Sequence, residues 1–408
     1  MKRIHYYILP VLLLCLVILP NKLQAASCST SACHADIGRG KVVHEPTRIG
    51  ECLNCHQSSN SGHPSGNGAD FVLTATGSSL CLACHDSEGF SGDHEHGPSA
   101  SGACLYCHDP HSSQQDNLLR MAPKDMCFSC HTDFKLQLQG PAFVHSAIED
   151  LDCSACHVSH AGSIPGLLKG ETTTLCLGCH DEIESKYKRS LRKHKPLYTG
   201  GRCANCHSAH FSDYRFLLPA EGSGLCFNCH GNKDEESTSA LRNIKQEIEG
   251  KEFVHAPVED QGCDGCHDTH GSSHGAILKG PYPATVYAPY DENGYDLCFE
   301  CHDKELLTSR MTDDATDFRN GSLNLHFRHV AIDRKGRTCA ACHSVHASEG
   351  QKLINPEGIP FGKWKIPVRF ETTETGGSCI PGCHQAMVYD REEAFDNSKK
   401  TTSEEEDR

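Results

Sequence analysis

The chain has 408 residues, with 38 Lys and Arg against 53 Asp and Glu, a formal net charge of −15. That balance argues against a nucleic-acid partner. Only 37% of the residues are hydrophobic and Trp364 is the single tryptophan, which excludes a large core built from side chains alone, whereas 27 cysteines require another explanation.

At the N-terminus Lys2 and Arg3 precede an apolar stretch from Ile8 to Leu19, and Leu23-Gln24-Ala25-Ala26 follows before Ser27. This is the pattern of a secretory signal, so residues 1–26 are expected to be removed, taking Cys15 with them. The apolar run is short against the roughly 20 residues of a membrane span, and prolines bracket it. No membrane span is expected in the mature chain. Lipid attachment at Cys15 is not expected either, because Leu13 and Leu14 precede it where small residues would be needed. An exported protein follows, periplasmic or associated with the cell exterior and outer membrane.

Every other cysteine falls in a repeated motif, Cys-x-x-Cys-His. Eleven copies have two intervening residues: Cys52/Cys55/His56, Cys81/Cys84/His85, Cys104/Cys107/His108, Cys127/Cys130/His131, Cys153/Cys156/His157, Cys176/Cys179/His180, Cys203/Cys206/His207, Cys226/Cys229/His230, Cys263/Cys266/His267, Cys298/Cys301/His302 and Cys339/Cys342/His343. Two are wider, Cys28/Cys33/His34 and Cys379/Cys383/His384. The pattern is the attachment signature of c-type haem. In a helical turn, residues at i, i+3 and i+4 share a face, so two thioethers could hold a porphyrin while the histidine ligates its iron. In the wider copies the first cysteine leaves that face and the backbone must loop. The expected cofactor is haem c, about thirteen groups and at least eleven. Disulfide frameworks do not require a histidine after every second cysteine, and structural zinc would leave the adjacent histidine without a role.

The motifs form an internal repeat of about 50 residues, the range of modular arrays. Each unit has an upstream histidine, a motif followed by x-x-His, a Leu-Leu-like pair and a second motif. The fullest copy runs from His145 through Cys153, His160 and Leu167-Leu168 to Cys176. It recurs with His96/Cys104/His111/Cys127, His194/Cys203/His210/Cys226, His255/Cys263/His270/Cys298 and His329/Cys339/His346/Cys379. The first unit, His44/Cys52/Cys81, has Ser59 where the following histidine should stand, with His63 the nearest substitute. The array resembles the doubled CXXCH family of multihaem c-type cytochromes. That resemblance implies a secreted electron-transfer protein with covalent haems, and leaves its partner open.

Besides the motif histidines and His5, fifteen remain for second axial positions. Twelve belong to the units: His44, His63, His96, His111, His145, His160, His194, His210, His255, His270, His329 and His346. His94, His274 and His326 compete for a thirteenth haem. A histidine three residues after its motif shares the face of the motif histidine, so it is expected to serve a neighbouring iron. Two imidazoles leave an iron no open position and favour low potentials. The leading function is therefore electron transfer rather than enzymatic reduction, in anaerobic or metal-linked respiration. The alternatives are a reductase of a small nitrogen, sulfur or oxyanion substrate at one open haem, and a subunit of a cytochrome filament or outer-membrane conduit. Expected partners are other periplasmic or outer-membrane cytochromes, a porin–cytochrome complex or an extracellular metal acceptor.

The expected fold is irregular coil with short α-helices around the haems, in a repeat array with almost no sheet. Residues 27–43 form an N-terminal single-haem segment. Di-haem units follow at 44–93, 94–141, 142–190, 191–250, 251–322 and 323–388, and 389–408 form a disordered acidic tail. A linker helix is expected over Ser237 to Glu249, from the spacing of Leu241, Ile244 and Ile248 before Gly250. The basic cluster from Lys186 to Lys195 reads as a solvated helical face. The aromatic insertions Pro281–Asp296 and Gln351–Ser378 read as loops covering haem edges.

Overall fold

A computed structural model of the chain describes residues 28, 33–59, 63, 70–232 and 241–398. The signal sequence, Cys15, residues 237–240 of the expected linker helix and residues 399–408 of the expected tail lie outside the described residues. The chain divides into two compact bodies, Met1–Gln139 with Ser146–Gly170, and Gly140–His145 with Glu171–Arg408.

Both bodies repeat one local pattern. Short helices dominate; Asp181–Arg189, at nine residues, is the longest among the described residues. A 3-10 turn opens at the first cysteine of the leading motif in most units, as at Cys104–Tyr106 and Cys153–Ala155. The second motif sits instead at the end of an α-helix, as in Pro123–Phe128 and Thr172–Leu177. Both forms close with a hydrogen bond from the motif histidine amide to the first cysteine carbonyl, such as His108 to Cys104 and His131 to Cys127, each 3.0 Å.

Upstream histidines stand just before short helices, in extended backbone. His44, His96, His194 and His255 have ψ of 135°, 130°, 129° and 125°. Proline follows each at the second helical position, as Pro46, Pro98, Pro196 and Pro257. A proline in the first turn sacrifices no helical hydrogen bond, and its fixed φ starts the helix there.

The sheet content corrects the expectation of almost none. Nine small antiparallel sheets occur among the described residues, eight two-stranded and one three-stranded. Four join consecutive units by one rule: the residue two before an upstream histidine pairs with the residue two after the x-x-His of the next unit. Val42 pairs with Ser113, His94 with Gly162, Phe143 with Ser212 and Phe253 with Ser348. The isolated bridge Arg192–Ser272 supplies the fifth instance. Two-residue ladders carry almost no periodic signal in sequence.

The C-terminus departs most from the repeat. Val368–Thr372, Gly376–Pro381 and Met387–Asp390 form the three-stranded sheet, with the middle strand paired to both others. The disordered tail assigned from residue 389 is therefore corrected for its first ten residues. Arg319 donates to the Arg391 carbonyl at 2.8 Å and the Asn320 side chain to the Phe395 carbonyl at 2.9 Å. The linker helix is shorter than expected, Ile244–Ile248, capped by the Asn243 side chain accepting from the Gln246 amide at 3.0 Å.

Buried apolar residues are few among the described ones: Phe128, Tyr295, Leu307, Val330, Ala341, Ala347, Ile354, Val368 and Tyr389. One cluster packs Tyr295, Leu307 and Val330 against Tyr290 and Phe299, so the first aromatic insertion contributes to a core. Trp364 of the second insertion is 78% exposed. So few buried side chains cannot offset the conformational entropy of ordering so long a chain. The polypeptide made without haem is accordingly expected to lack a cooperative thermal transition and near-ultraviolet circular dichroism. A sharp unfolding transition in the haem-free chain would contradict this.

Candidate haem-binding sites

Five leading-motif histidines are anchored by backbone on the outer side of the ring. On the outer side, the Nδ1–H groups of His108, His157, His207, His267 and His343 donate to the carbonyls of Asn117, Gly166, Phe216, Ala276 and Lys352, each at 2.8 Å. Every acceptor lies nine residues beyond its histidine in the left-handed region, with φ of 54°, 71°, 59°, 51° and 55°. The next residue is left-handed too: Leu118, Leu167, Leu217, Ile277 and Leu353. Its carbonyl accepts the amide of the residue after the motif histidine, as Leu118 from Asp109 and Leu167 from Val158. Two successive left-handed residues thus turn two carbonyls onto one motif. Only Gly166 among these ten adopts the conformation without a Cβ; the others cost roughly 1–2 kcal/mol each.

With Nδ1 bearing the proton, the Nε2 lone pair faces inward. Burial favours the neutral imidazole: it pushes the pKa down at His56, His160, His194, His270, His329, His343 and His346, and to about 4 at His326.

On the inner side, twelve motif histidines face a second histidine. In the first body, His34 faces His63, His44 faces His85 and His56 faces His111, each with ring centres 6.0 Å apart. His96 with His131 and His108 with His160 follow at 6.2 and 6.0 Å. In the second body, His145 faces His180, His194 faces His230, His207 faces His270 and His255 faces His302, at 6.1–6.2 Å. His267 with His346, His326 with His343 and His329 with His384 are 6.4 Å apart. Nine pairs have planes within 21° of parallel; the other three are tilted by 31–38°.

The spacing tests the fit to haem iron. A metal–imidazole bond of about 2 Å plus about 1.2 Å from nitrogen to ring centre, counted on both sides, gives roughly 6.4 Å. The observed range reaches that distance. No three His, Cys, Asp or Glu side chains converge as an ion site among the described residues; the arrangement is two opposed imidazoles beside a pair of thiols. None of the 26 described cysteines is in a disulfide. The residues present fit covalently held haem.

The second cysteines of leading and second motifs differ in exposure. The turn itself is common to them, with the second cysteine amide donating to the first cysteine carbonyl: Cys55 to Cys52 and Cys156 to Cys153 at 3.3 Å, Cys84 to Cys81 at 3.1 Å, Cys179 to Cys176 and Cys301 to Cys298 at 3.2 Å. Exposure then divides the second cysteines. Cys84, Cys130, Cys179, Cys229 and Cys301, from the second motifs of units, are exposed, whereas Cys55, Cys107, Cys156, Cys206, Cys266 and Cys342, from leading motifs, are half-buried. The reason is the returning chain. In leading motifs it passes back over the turn, where the Cys55 carbonyl accepts the Thr74 amide at 3.0 Å and the Cys156 carbonyl accepts the Lys169 amide at 2.9 Å. Second motifs close the last turn of a helix and then run on into the next segment, as from Cys179 into Asp181–Arg189. For Cys84, Cys156 and Cys179 the assignment to haem therefore stands on the motif and this turn. Cys55 has Cys81 beside it as well, and Cys301 has Cys266.

Two pairing rules emerge. The upstream histidine faces the second motif of its own unit, as His96 faces His131. The x-x-His reaches back one unit, as His111 faces His56 and not His108. The inter-unit ladders enforce this: the amides of His44, His96, His145 and His255 donate to the carbonyls of His111, His160, His210 and His346 at 2.8–2.9 Å. Upstream rings are oriented by Nδ1 bonds to carbonyls of Pro110, Ser159, Ala209 and Val345.

The terminal sites differ. His63 follows the reach-back rule, opposite His34 in the preceding N-terminal segment, but it stands seven residues after its motif histidine instead of three. His326, one of three competitors for the thirteenth position and outside the repeat pattern, faces His343. The last unit has no successor to lend a histidine, and a count of leftover histidines is the only signal in sequence that leads to His326. His94 lies in a ladder with Gly162, and His274 lines a cavity of about 250 Å³ with Lys186, Arg189 and Lys279; neither is described opposite a motif histidine. The Cys379 motif is wide because Cys379 lies in a strand, paired with Phe370 and Met387, and the chain must turn before Cys383 and His384. In the N-terminal motif the His34 amide reaches back to the Cys28 carbonyl at 3.2 Å.

Cysteines of successive motifs also meet. First cysteines lie within hydrogen-bonding reach in Cys28–Cys52, Cys81–Cys104, Cys127–Cys153, Cys176–Cys203, Cys226–Cys263 and Cys298–Cys339. Second cysteines neighbour one another inside units, as in Cys107–Cys130 and Cys206–Cys229. The two kinds of junction alternate within each body.

These features define the class: a multihaem c-type cytochrome. The model of the doubled CXXCH motif matches residues 44–90, 96–136, 145–185, 194–235 and 255–306, and the chain belongs to that family. It holds several covalently bound haem c groups. No curated protein matches the chain. No helix among the described residues is long and apolar enough to cross a membrane.

His326 and His329 share the helix Leu325–Val330, which depends on Asn324. That side chain is fully buried; it accepts the Phe327 amide at 3.1 Å and donates to the Ser309 and Leu306 carbonyls at 2.9 and 3.2 Å. Asn324→Ala removes a cap and orphans carbonyls, a loss of about 2–4 kcal/mol. A lower guanidinium midpoint of the haem-loaded protein, with new high-spin signal, is expected. An unchanged midpoint would show that the helix is held by other contacts.

Proposed function

We propose that this chain is an exported electron-transfer protein that binds thirteen haems, each iron between two histidines, and passes electrons to other redox proteins. The observation that carries the reading is the recurrence of one histidine–histidine spacing, 6.0–6.4 Å, at twelve motifs. His157 and His210 hold the repeat positions that His108 and His160 hold one unit earlier. Bound haem supplies reversible one-electron chemistry.

The protein's own contribution is to fill both axial positions and to fix the ligands. Two imidazoles leave no position for a substrate, which favours transfer over reduction of a small molecule. Rings held by Nδ1 bonds to backbone keep their orientation when iron changes charge. The alternating cysteine junctions bring successive attachment points together within each body, as a relay of closely spaced centres requires. Partners are periplasmic or outer-membrane cytochromes, a porin–cytochrome complex or an extracellular metal acceptor.

Intact mass of the mature protein is expected to equal the polypeptide plus thirteen haem masses; eleven would remove Cys28/Cys33 and Cys379/Cys383 from the count. The oxidised protein should give only low-spin electron paramagnetic resonance signals, and the reduced protein should bind no carbon monoxide. One stoichiometric high-spin haem that binds carbon monoxide would overturn the electron-transfer reading in favour of a reductase. His326→Ala should open one such site.

A further inference from the structure

The axial histidines are not all oriented by the same kind of acceptor. Described Nδ1 bonds of His44, His96, His108, His145, His157, His207, His255, His267, His329, His343 and His384 all run to backbone carbonyls. His326 shares its bond with the Thr316 hydroxyl at 3.0 Å. His63 differs from these: its Nδ1–H donates to the Asp70 carboxylate, Oδ2, at 3.0 Å.

Asp70 is built into its place. Its side chain is 8% exposed, whereas the His63 ring is 41% exposed. Its carbonyl accepts the Ser59 amide at 2.8 Å, at the end of the ladder pairing His56–Ser58 with Phe71–Leu73. Phe71, the next residue, sets its ring against His63 edge to face, with centres 5.0 Å apart. Ladder and aromatic contact together fix the carboxylate against the far side of an imidazole whose near side faces His34, with ring planes 7° apart.

From this geometry we infer that Asp70 sets the reduction potential of the haem held by Cys28, Cys33, His34 and His63, and makes it the lowest in the chain. The inference rests on the proposed loading of that N-terminal motif. A full negative charge on the acceptor makes the Nδ1–H bond charge-assisted and stronger than a bond to a carbonyl. The imidazole is then a more basic ligand. A more basic ligand and a nearby negative charge both stabilise ferric over ferrous iron, so reduction is harder. The carbonyl acceptors described above lack the charge contribution. The one other carboxylate near an axial Nδ1 among the described bonds and ion pairs, Glu247 Oε2 at 3.6 Å from His346, is beyond hydrogen-bond reach and paired with Arg242. The carboxylate acts through His63, which makes Asp70 a positioning residue.

The test compares haem-loaded wild-type protein with Asp70→Asn and Asp70→Glu by spectroelectrochemical titration and low-temperature electron paramagnetic resonance. In Asp70→Asn the most negative one-electron step is expected to rise, with its reduction equilibrium shifted about tenfold toward ferrous, or ~59 mV. The other steps should stay in place and every haem should remain low-spin. Asp70→Glu, which keeps the charge, should recover most of the wild-type value. A most negative step that does not move in Asp70→Asn overturns the inference. So does a high-spin haem in Asp70→Asn that Asp70→Glu returns to low spin without restoring the potential, since Asp70 would then only hold the ring. Peptide mass across Cys28 and Cys33 separates the two failures: a peptide without haem in the wild type removes the site itself.

Discussion

The structure depends on one repeated constraint, an imidazole held at Nδ1 by a backbone carbonyl so that its Nε2 faces a second imidazole. The constraint is costly locally. At His108, His207, His267 and His343 it uses two consecutive non-glycine residues in the left-handed region, a conformation disfavoured by roughly 1–2 kcal/mol per residue. That such strain recurs at the same offset in five units places its compensation at the sites the carbonyls serve. The 3-10 turns, proline-started helices and two-residue ladders are the minimum backbone needed to bring those atoms into register.

Cross-unit sharing of histidines is the consequence with the widest reach. Because the x-x-His of one unit faces the first motif of the preceding unit, neighbouring units are joined by facing histidine pairs as well as by backbone ladders. Each unit therefore depends on its neighbours, as in other arrays that share interfaces. The ends then need special provision. The N-terminal segment uses His63, and the last unit uses His326 from a helix capped by a buried asparagine. The C-terminal sheet and the core around Tyr295 give that end the side-chain packing that the repeats lack.

Much of the candidate site was legible beforehand, because covalent attachment demands particular residue types at fixed spacing. Every described motif cysteine, and the upstream and following histidines, were identifiable from recurrence at constant offsets. What was hidden lay in the backbone. Asn117, Phe216, Ala276 and Lys352 contribute carbonyl oxygens, which any residue type can offer, so no identity signal marks them. The split between half-buried Cys55 or Cys156 and exposed Cys84, Cys179 or Cys301 was hidden for the same reason, since it follows from where the chain returns and not from the motif. Ladders are no more visible: two-residue strands such as Val42–Val43 are too short for alternation to stand out. Residues from 389 onward read as a polar tail, yet Arg319 and Asn320, far away in sequence, bond to Asp390, Arg391 and Phe395.

The sequence by itself therefore determined the chemistry: covalent c-type haem, a supply of histidine for two axial ligands per iron, and a repeated array of paired motifs. Tertiary structure decided the wiring, namely which histidine faces which, that His63 belongs with His34, and that Asp70 rather than a carbonyl stands behind it. The physical reason is reach. A segment of eight or ten residues can span well over 20 Å, so spacing alone leaves several irons accessible to each free histidine. Only the inter-unit ladders, the left-handed carbonyl turns and the capped helices narrow that choice to one partner.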